Sequence, residues 1–246
     1  MSRLSVVIIT KNEEARIRDC LESVRWADEI IIVDACSEDR TIEICREYTD
    51  KVYRKAWQGY AAQKNWGIAQ ASGDWVLCLD ADERVSPELR GEIINLLHGS
   101  PNVDGFYLPR KNYLGDRWMR YAGLYPDYKL RLFRKGKGHF EGVVHERVKV
   151  RGEVGYLKGA ILHHTYKDLS DYWDKINQYT SIEAEELFQQ GARFRWYMLL
   201  RPLALFFWLY IFRQGWRNGF LGLVNSLFLS WYQFLKYAKL WEKRGF

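Results

Sequence analysis

Residues 75–79 (Trp-Val-Leu-Cys-Leu) form an apolar run that ends on Asp80-Ala81-Asp82, and this restricts the fold more than any other feature of the chain. A run so short and apolar at every position reads as a strand buried on both faces, the condition of a parallel sheet covered by helices. Two other runs have the same character: residues 4–9, followed by Thr10-Lys11-Asn12-Glu13, and residues 29–33, ending on Asp34. Between them, Ile17, Cys20, Leu21 and Val24 recur at helical spacing, as do Ala62, Asn65, Trp66 and Ala69. Residues 41–48 read as a helix and residues 51–53 as a short third strand. Ser86-Pro87-Glu88 is a helix start, with Ser86 as cap and Pro87 in the first position. Repeated strand–helix units predict an α/β fold with right-handed crossovers.

In open α/β sheets ligands collect at the carboxyl ends of the strands. Three of those ends carry Thr10 to Glu13, Asp34, and the Asp80/Asp82 pair. Alternate residues of an extended chain point to opposite faces, but a turn beginning at Ala81 can bring both carboxylates near one ion. Hard divalent cations prefer oxygen ligands and usually keep substrate phosphates in their shell. Asp-x-Asp also arises as a plain acidic turn after a strand, so the neighbouring strand ends carry the functional reading. There is no G-x-G-x-x-G and no Walker loop, so a dinucleotide or ATP phosphate cradle is not supported.

The net charge is +6, from 37 Lys+Arg against 31 Asp+Glu, and suits an anionic partner. Four scattered cysteines, Cys20, Cys36, Cys45 and Cys78, form no C-x-x-C pair and read as buried free thiols, with cytosolic residence and no zinc site following. Residues 5–9 are apolar but too short for a signal peptide.

After residue 99 the texture changes. Residues 105–114, 128–134 and 154–163 read as strands, and from residue 168 the chain turns helical, with Tyr172, Ile176, Tyr179 and Ile182 on one face. Residues 203–212 are an uninterrupted apolar stretch of about half the length a membrane span needs. A second stretch, residues 219–235, contains Asn225, Ser226, Ser230 and Gln233. Arg193, Arg195, Arg213, Arg217, Lys236, Lys239, Lys243 and Arg244 flank the two. Two readings fit: core helices, or, preferred, helices lying in the interface of an anionic membrane with basic residues on head groups. The basic residues sit beside apolar aromatic helices rather than interleaved on a polar strand, which disfavours nucleic acid.

The motifs at residues 6–14, 32–41, 63–65 and 73–83, in that order and spacing, resemble the inverting family 2 glycosyltransferases of GT-A fold. Weaker matches at residues 129–134, 144–146 and His163, with the aromatic carboxyl-terminal helices, resemble the branch that includes lipopolysaccharide core β-1,4-glucosyltransferases. The resemblance implies a Rossmann-like mixed sheet flanked by helices over residues 1–166. Of these, 1–100 would be the nucleotide-sugar half and 101–166 the acceptor side, with a helical, membrane-associating region over 167–246. It implies that Thr10, Asn12, Glu13 and Asp34 hold the base and ribose of a nucleoside diphosphate sugar, UDP-glucose at family level. Lys64 and Asn65 would lie beside the nucleotide, Asp80 on ribose or metal, and Asp82 on a Mg²⁺ or Mn²⁺ bridging the diphosphate. Arg131 and Arg134 can add charge-assisted hydrogen bonds to the same oxygens.

An inverting transfer needs a base for the acceptor hydroxyl. The family's common Glu-Asp pair is missing downstream of Asp82. Glu146, Glu141 and Asp127 are candidates, Glu146 beside His145 being preferred, and His163 or His164 can complete a metal shell. The expected acceptor is a lipid-linked saccharide such as lipopolysaccharide inner core, at the inner face of the plasma membrane. Polyprenyl phosphate is the alternative acceptor, and a non-catalytic sugar-nucleotide sensor the alternative outside catalysis.

Overall fold

A computed structural model describes residues 2–99, 101–142 and 146–243. His145 and Arg244 lie outside the described residues. The chain divides into two compact units, Met1–Arg110 with Asp127–His163, and Lys111–Pro126 with His164–Phe246.

The first unit is built on β1 (Leu4–Thr10), whose seven residues are all buried. It lies between β2 (Glu29–Asp34) and β4 (Trp75–Asp80), both parallel to it, and β3 (Val52–Arg54) extends the parallel part beyond β2. The register pairs Thr10 with Asp34 and Ile9 with Asp80, so three strand ends fall on one edge. Alternation then sorts the side chains. Val6, Ile8, Ile30, Ile32, Leu77 and Leu79 face α1 (Ile17–Val24), α2 (Thr41–Arg46) and α4 (Pro87–His98). Val7, Ile9, Ile31, Val33, Val76 and Cys78 face the opposite way, toward Ile68 of α3 (Tyr60–Gln70). Two apolar faces on the same strands are the reason these runs do not alternate with polar residues. Ser86 caps α4 as expected, its Oγ accepting from Leu89 N at 3.2 Å.

Beyond β4 the strands reverse. β8 (Asp127–Arg134) pairs antiparallel with β4 and β6 (Gly105–Leu114) with β8, and the order continues through β12 (Ile161–Tyr166) to β5 (Glu83–Val85). The sheet is therefore mixed, as the resemblance implies. The expected strand over 154–163 is two strands, β11 (Val154–Tyr156) and β12, separated at Gly159, where a Cβ would stand 2.4 Å from the Leu89 backbone. A hairpin, β9 (Gly138–Glu141) with β10 (Arg147–Val150), places Phe140 and Val148 in the cluster around Ile68.

The cysteines depart from expectation at one position. Cys20, Cys45 and Cys78 are buried free thiols, but Cys36 is exposed, in the loop after β2 and in the left-handed region at φ 59°.

In the second unit, β7 (Arg117–Trp118) pairs with the end of β6, and α5 (Leu169–Gln189) packs on α7 (Phe220–Glu242). Tyr172 stacks on Tyr166 at 3.8 Å, and its hydroxyl donates to Asn225 Oδ1 at 3.0 Å. α6 (Leu200–Phe207) runs into a single π turn ending at Phe212. Among the described residues, no helix is long and apolar enough to cross a membrane.

Candidate active site

The carboxyl end of β4 holds a cluster of opposite charges, all within the first unit. Asp80 Oδ1 lies 2.7 Å from Lys64 Nζ, and Asp80 Oδ2 accepts from Arg131 Nη2 at 2.7 Å. Burial works against the charge of Asp80, but Arg131 and Lys64 outweigh it and hold the carboxyl well below the usual range. Burial likewise opposes the Arg131 charge, and Asp80 and Glu83 more than restore it. Lys64 itself has no exposed surface and reaches a second carboxylate, Glu146 Oε1, also at 2.7 Å. A cation so enclosed persists only when paired in this way.

The close approach of α3 to the sheet makes that reach possible. Gly67, one turn after Lys64, packs so tightly that a Cβ would stand 2.5 Å from Val7 Cγ1 and 2.9 Å from Val33 Cγ2. Asn65 completes the arrangement, accepting from Phe140 N and donating to Phe140 O, both at 2.8 Å. Both ends of its amide are spent on the backbone of β9, so Asn65 positions the hairpin segment that leads to Glu146.

Asp82 lies across the turn from Asp80. Its Oδ2 is 3.4 Å from His163 Nε2 and 3.9 Å from Arg16 Nη1. The antiparallel pairing of β5 with β12 sets His163 opposite Glu83, which brings the imidazole to the turn. His164 belongs to the second unit, where its ring stacks on Tyr113 at 4.8 Å.

At the other two strand ends, the Asp34 carboxylate is fully buried and shapes the loop after β2, accepting from Ser37 N at 2.8 Å and from the Ser37 hydroxyl. Ser37 Oγ in turn accepts from Asn12 N at 2.8 Å, Asn12 Oδ1 accepts from Glu38 N, and Glu13 N donates to Thr41 Oγ1. Asn12 has φ 53°, a left-handed conformation that asparagine tolerates better than most residues. Thr10 Oγ1 is buried without a hydrogen-bond partner among the described residues.

Arg134 is not brought to this edge. β8 is antiparallel to β4, and Arg134 pairs with Trp75 at the amino end of β4, some five residues or about 17 Å along the strand from Asp80. There its guanidinium donates to Pro101 O at 2.7 Å and lies over the Trp75 ring. The other two candidate bases are held by partners of their own. Glu141 pairs with His139 and Lys149 on the exposed hairpin, and Asp127 takes both nitrogens of the Arg110 fork at 2.8 and 2.9 Å.

The family 2 glycosyl transferase model matches residues 5–153 of this sequence. A lipopolysaccharide core biosynthesis glycosyltransferase, LpsC of Rhizobium meliloti, is 33% identical over 98% of this chain and 93% of its own. The chain belongs to glycosyltransferase family 2. An uncharacterized glycosyltransferase of Rickettsia typhi is 34% identical over 98% of this chain and 88% of its own. The crystal structure of S. aureus TarS 1-349 superposes at TM-score 0.49 with 16% identity, covering 97% of this chain and 89% of that one, too remote a likeness to bear on substrates.

This glycosyltransferase also uses a residue that the sequence reading passed over. Glu83 follows Asp82 directly and is fully buried. Its Oε2 accepts from Asp80 N at 3.0 Å, and its Oε1 faces Arg110 Nη1 at 3.2 Å and Arg131 Nη2 at 3.4 Å. One carboxylate thus closes the Asp80–Asp82 turn and holds the arginine that braces Asp80. The available signal was a third acid inside the Asp-Ala-Asp-Glu string. Arg16 and Arg110 carried no signal, being single basic residues in amphipathic surroundings.

A divalent cation fits part of the donor set. Two ligand atoms held about 2.1 Å from one ion are about 3 Å apart at a right angle and somewhat more at a tetrahedral angle. The 3.4 Å between Asp82 Oδ2 and His163 Nε2 is in that range. Among the described residues, no group of three or more His, Cys, Asp or Glu could hold a metal by itself. Magnesium needs no such cage, since one or two carboxylates and substrate phosphates suffice.

Proposed function

We propose that this glycosyltransferase moves a hexose, glucose by resemblance, from a nucleoside diphosphate sugar to a lipid-linked saccharide such as lipopolysaccharide inner core, with inversion. The observation that carries the reading is the Asp82–His163 pair beside an Asp80 braced by Lys64 and Arg131, at the edge where β1, β2 and β4 end. Asp82 and His163 would hold Mg²⁺ or Mn²⁺, whose Lewis acidity stabilises charge on the departing diphosphate. Thr10, Asn12, Glu13 and Asp34 form the neighbouring strand ends, on the side assigned to base and ribose. Glu146 takes the proton of the acceptor hydroxyl, and Lys64 fixes the orientation of its carboxylate through Oε1. The name of the Rhizobium meliloti relative supports the lipopolysaccharide acceptor, and a lipid-linked acceptor of that kind would put the reaction at the inner face of the plasma membrane.

The test is release of nucleoside diphosphate from UDP-glucose, UDP-galactose and UDP-N-acetylglucosamine, with Mg²⁺ or Mn²⁺, by wild type and Asp82→Ala. Metal-dependent cleavage of one donor, lost in the variant, is expected. Donor binding indifferent to both metal and Asp82 would instead indicate a non-catalytic sugar-nucleotide binder.

A further inference from the structure

Residues 187–241 contain no Asp or Glu, yet carry Arg193, Arg195, Arg201, Arg213, Arg217, Lys236 and Lys239. Lys236 pairs with Glu183, and Lys239 donates to Asn177, Thr180 and Ser181, so both are committed to α5. The five arginines are exposed, and none forms an ion pair with a carboxylate among the described residues. Beside them runs an inverted amphipathic helix. Along α6 and its π turn, Leu200, Leu203, Phe207, Trp208, Ile211 and Phe212 repeat at helical spacing and all face outward, Leu203 at 62% and Phe212 at 70% exposure. Pro202 is the only buried residue of α6. A contiguous apolar stripe of this kind on the outside of a protein marks an interaction surface.

We propose that this stripe inserts into one leaflet of an anionic phospholipid membrane, with Arg193, Arg195 and Arg213, which have no ion-pair partner among the described residues, on lipid phosphates. Residues 200–212 extend only about 20 Å, short of a bilayer's hydrocarbon thickness. The segment therefore lies in the leaflet without crossing it. Exposed Trp196, Trp208 and Trp216 suit the head-group boundary, where amphipathic rings concentrate. Charge decides between lipid and a second copy of the chain: an isologous dimer would set the same arginine-rich stretch, without an acid over residues 187–241, against itself, whereas an anionic leaflet complements it. The inference stands on the second unit alone and goes beyond the transfer reading, so its failure would leave donor cleavage untouched.

The full chain would be co-sedimented with phosphatidylcholine vesicles with and without phosphatidylglycerol, at low and raised salt, and compared with Leu203→Glu/Phe207→Glu and Arg193→Glu/Arg195→Glu. Quenching of tryptophan fluorescence by brominated lipid would be read on wild type, which needs no variant. Expected are salt-sensitive binding that requires phosphatidylglycerol, weakening by about tenfold or more in either variant, and quenching at shallow depth. Circular dichroism and donor cleavage verify that the variants are folded. Failure to bind, binding indifferent to phosphatidylglycerol or to both variants, or a lipid-free dimer dissolved by Leu203→Glu/Phe207→Glu would each overturn the proposal.

Discussion

Lys64→Met removes the cation that, among the described residues, lies within ion-pair distance of both Asp80 and Glu146. Each contact is 2.7 Å long, so at an effective dielectric constant of about 20 each carries a gross attraction of about 6 kcal/mol. Desolvation of a lysine with no exposed surface offsets much of that, and removing one member of a buried pair typically costs about 3–5 kcal/mol. Asp80 keeps Arg131 as a partner in the variant, whereas Glu146 loses the only cation within ion-pair distance of it among the described residues. Neutralising Glu146 in the same chain should therefore recover part of the loss. Urea unfolding of wild type, Lys64→Met, Glu146→Gln and the double variant at neutral pH is expected to give a coupling of about 2 kcal/mol, against about 0.5 kcal/mol for independent sites. Acid reports the same geometry. Asp80 is depressed in the folded state, so its contribution is present above the ordinary carboxylate range and fades as pH falls below it. Additive single-variant losses would refute the bridging role of Lys64 and, with it, the orientation assigned to Glu146.

Glu29 gives a second pH-dependent outcome. Burial opposes its charge, but Lys51, Ser5 and Ser72 lower its pKa from 4.5 to about 2, a shift worth about 3 kcal/mol. That stability is present above pH 4.5 and lost as pH falls through about 2, so the gap between wild type and Glu29→Gln in urea unfolding should shrink by about 2 kcal/mol from pH 7 to pH 3. Gly67→Val should lower the unfolding midpoint by the equivalent of about 1–3 kcal/mol and weaken donor binding, because lifting α3 withdraws Lys64. Gly91→Ala in α4, where a Cβ meets nothing within 4 Å, should instead stabilise by about 0.5–1 kcal/mol and leave donor binding alone. Glu83→Gln keeps the shape of the turn but leaves Arg110 and Arg131 short of a charge. It should lower kcat at least as much as Asp80→Asn, with thermal unfolding to separate the catalytic loss from simple destabilisation.

Periodicity and strand-end chemistry already located β1, β2 and β4 and the acids that close them, because an unbroken apolar run has only a doubly covered strand to occupy. The same reasoning placed Asp34, Asp80 and Asp82 on one edge before any pairing was known. It had no means of assigning direction to the strands after residue 100. Arg131 and Arg134 look equivalent in a string three residues apart, and antiparallel pairing sent one to the site and the other to the far end of β8. Asn65 resembled a nucleotide contact, and only the approach of β9 showed its amide occupied by Phe140. The Lys64–Glu146 contact joins residues 82 positions apart, and Glu83 closes the Asp80 turn while touching arginines from two other strands. Local sequence determines which residues can form a strand end and which acids lie there. Which cation each acid meets depends on strand order and direction, and those are properties of the assembled sheet alone.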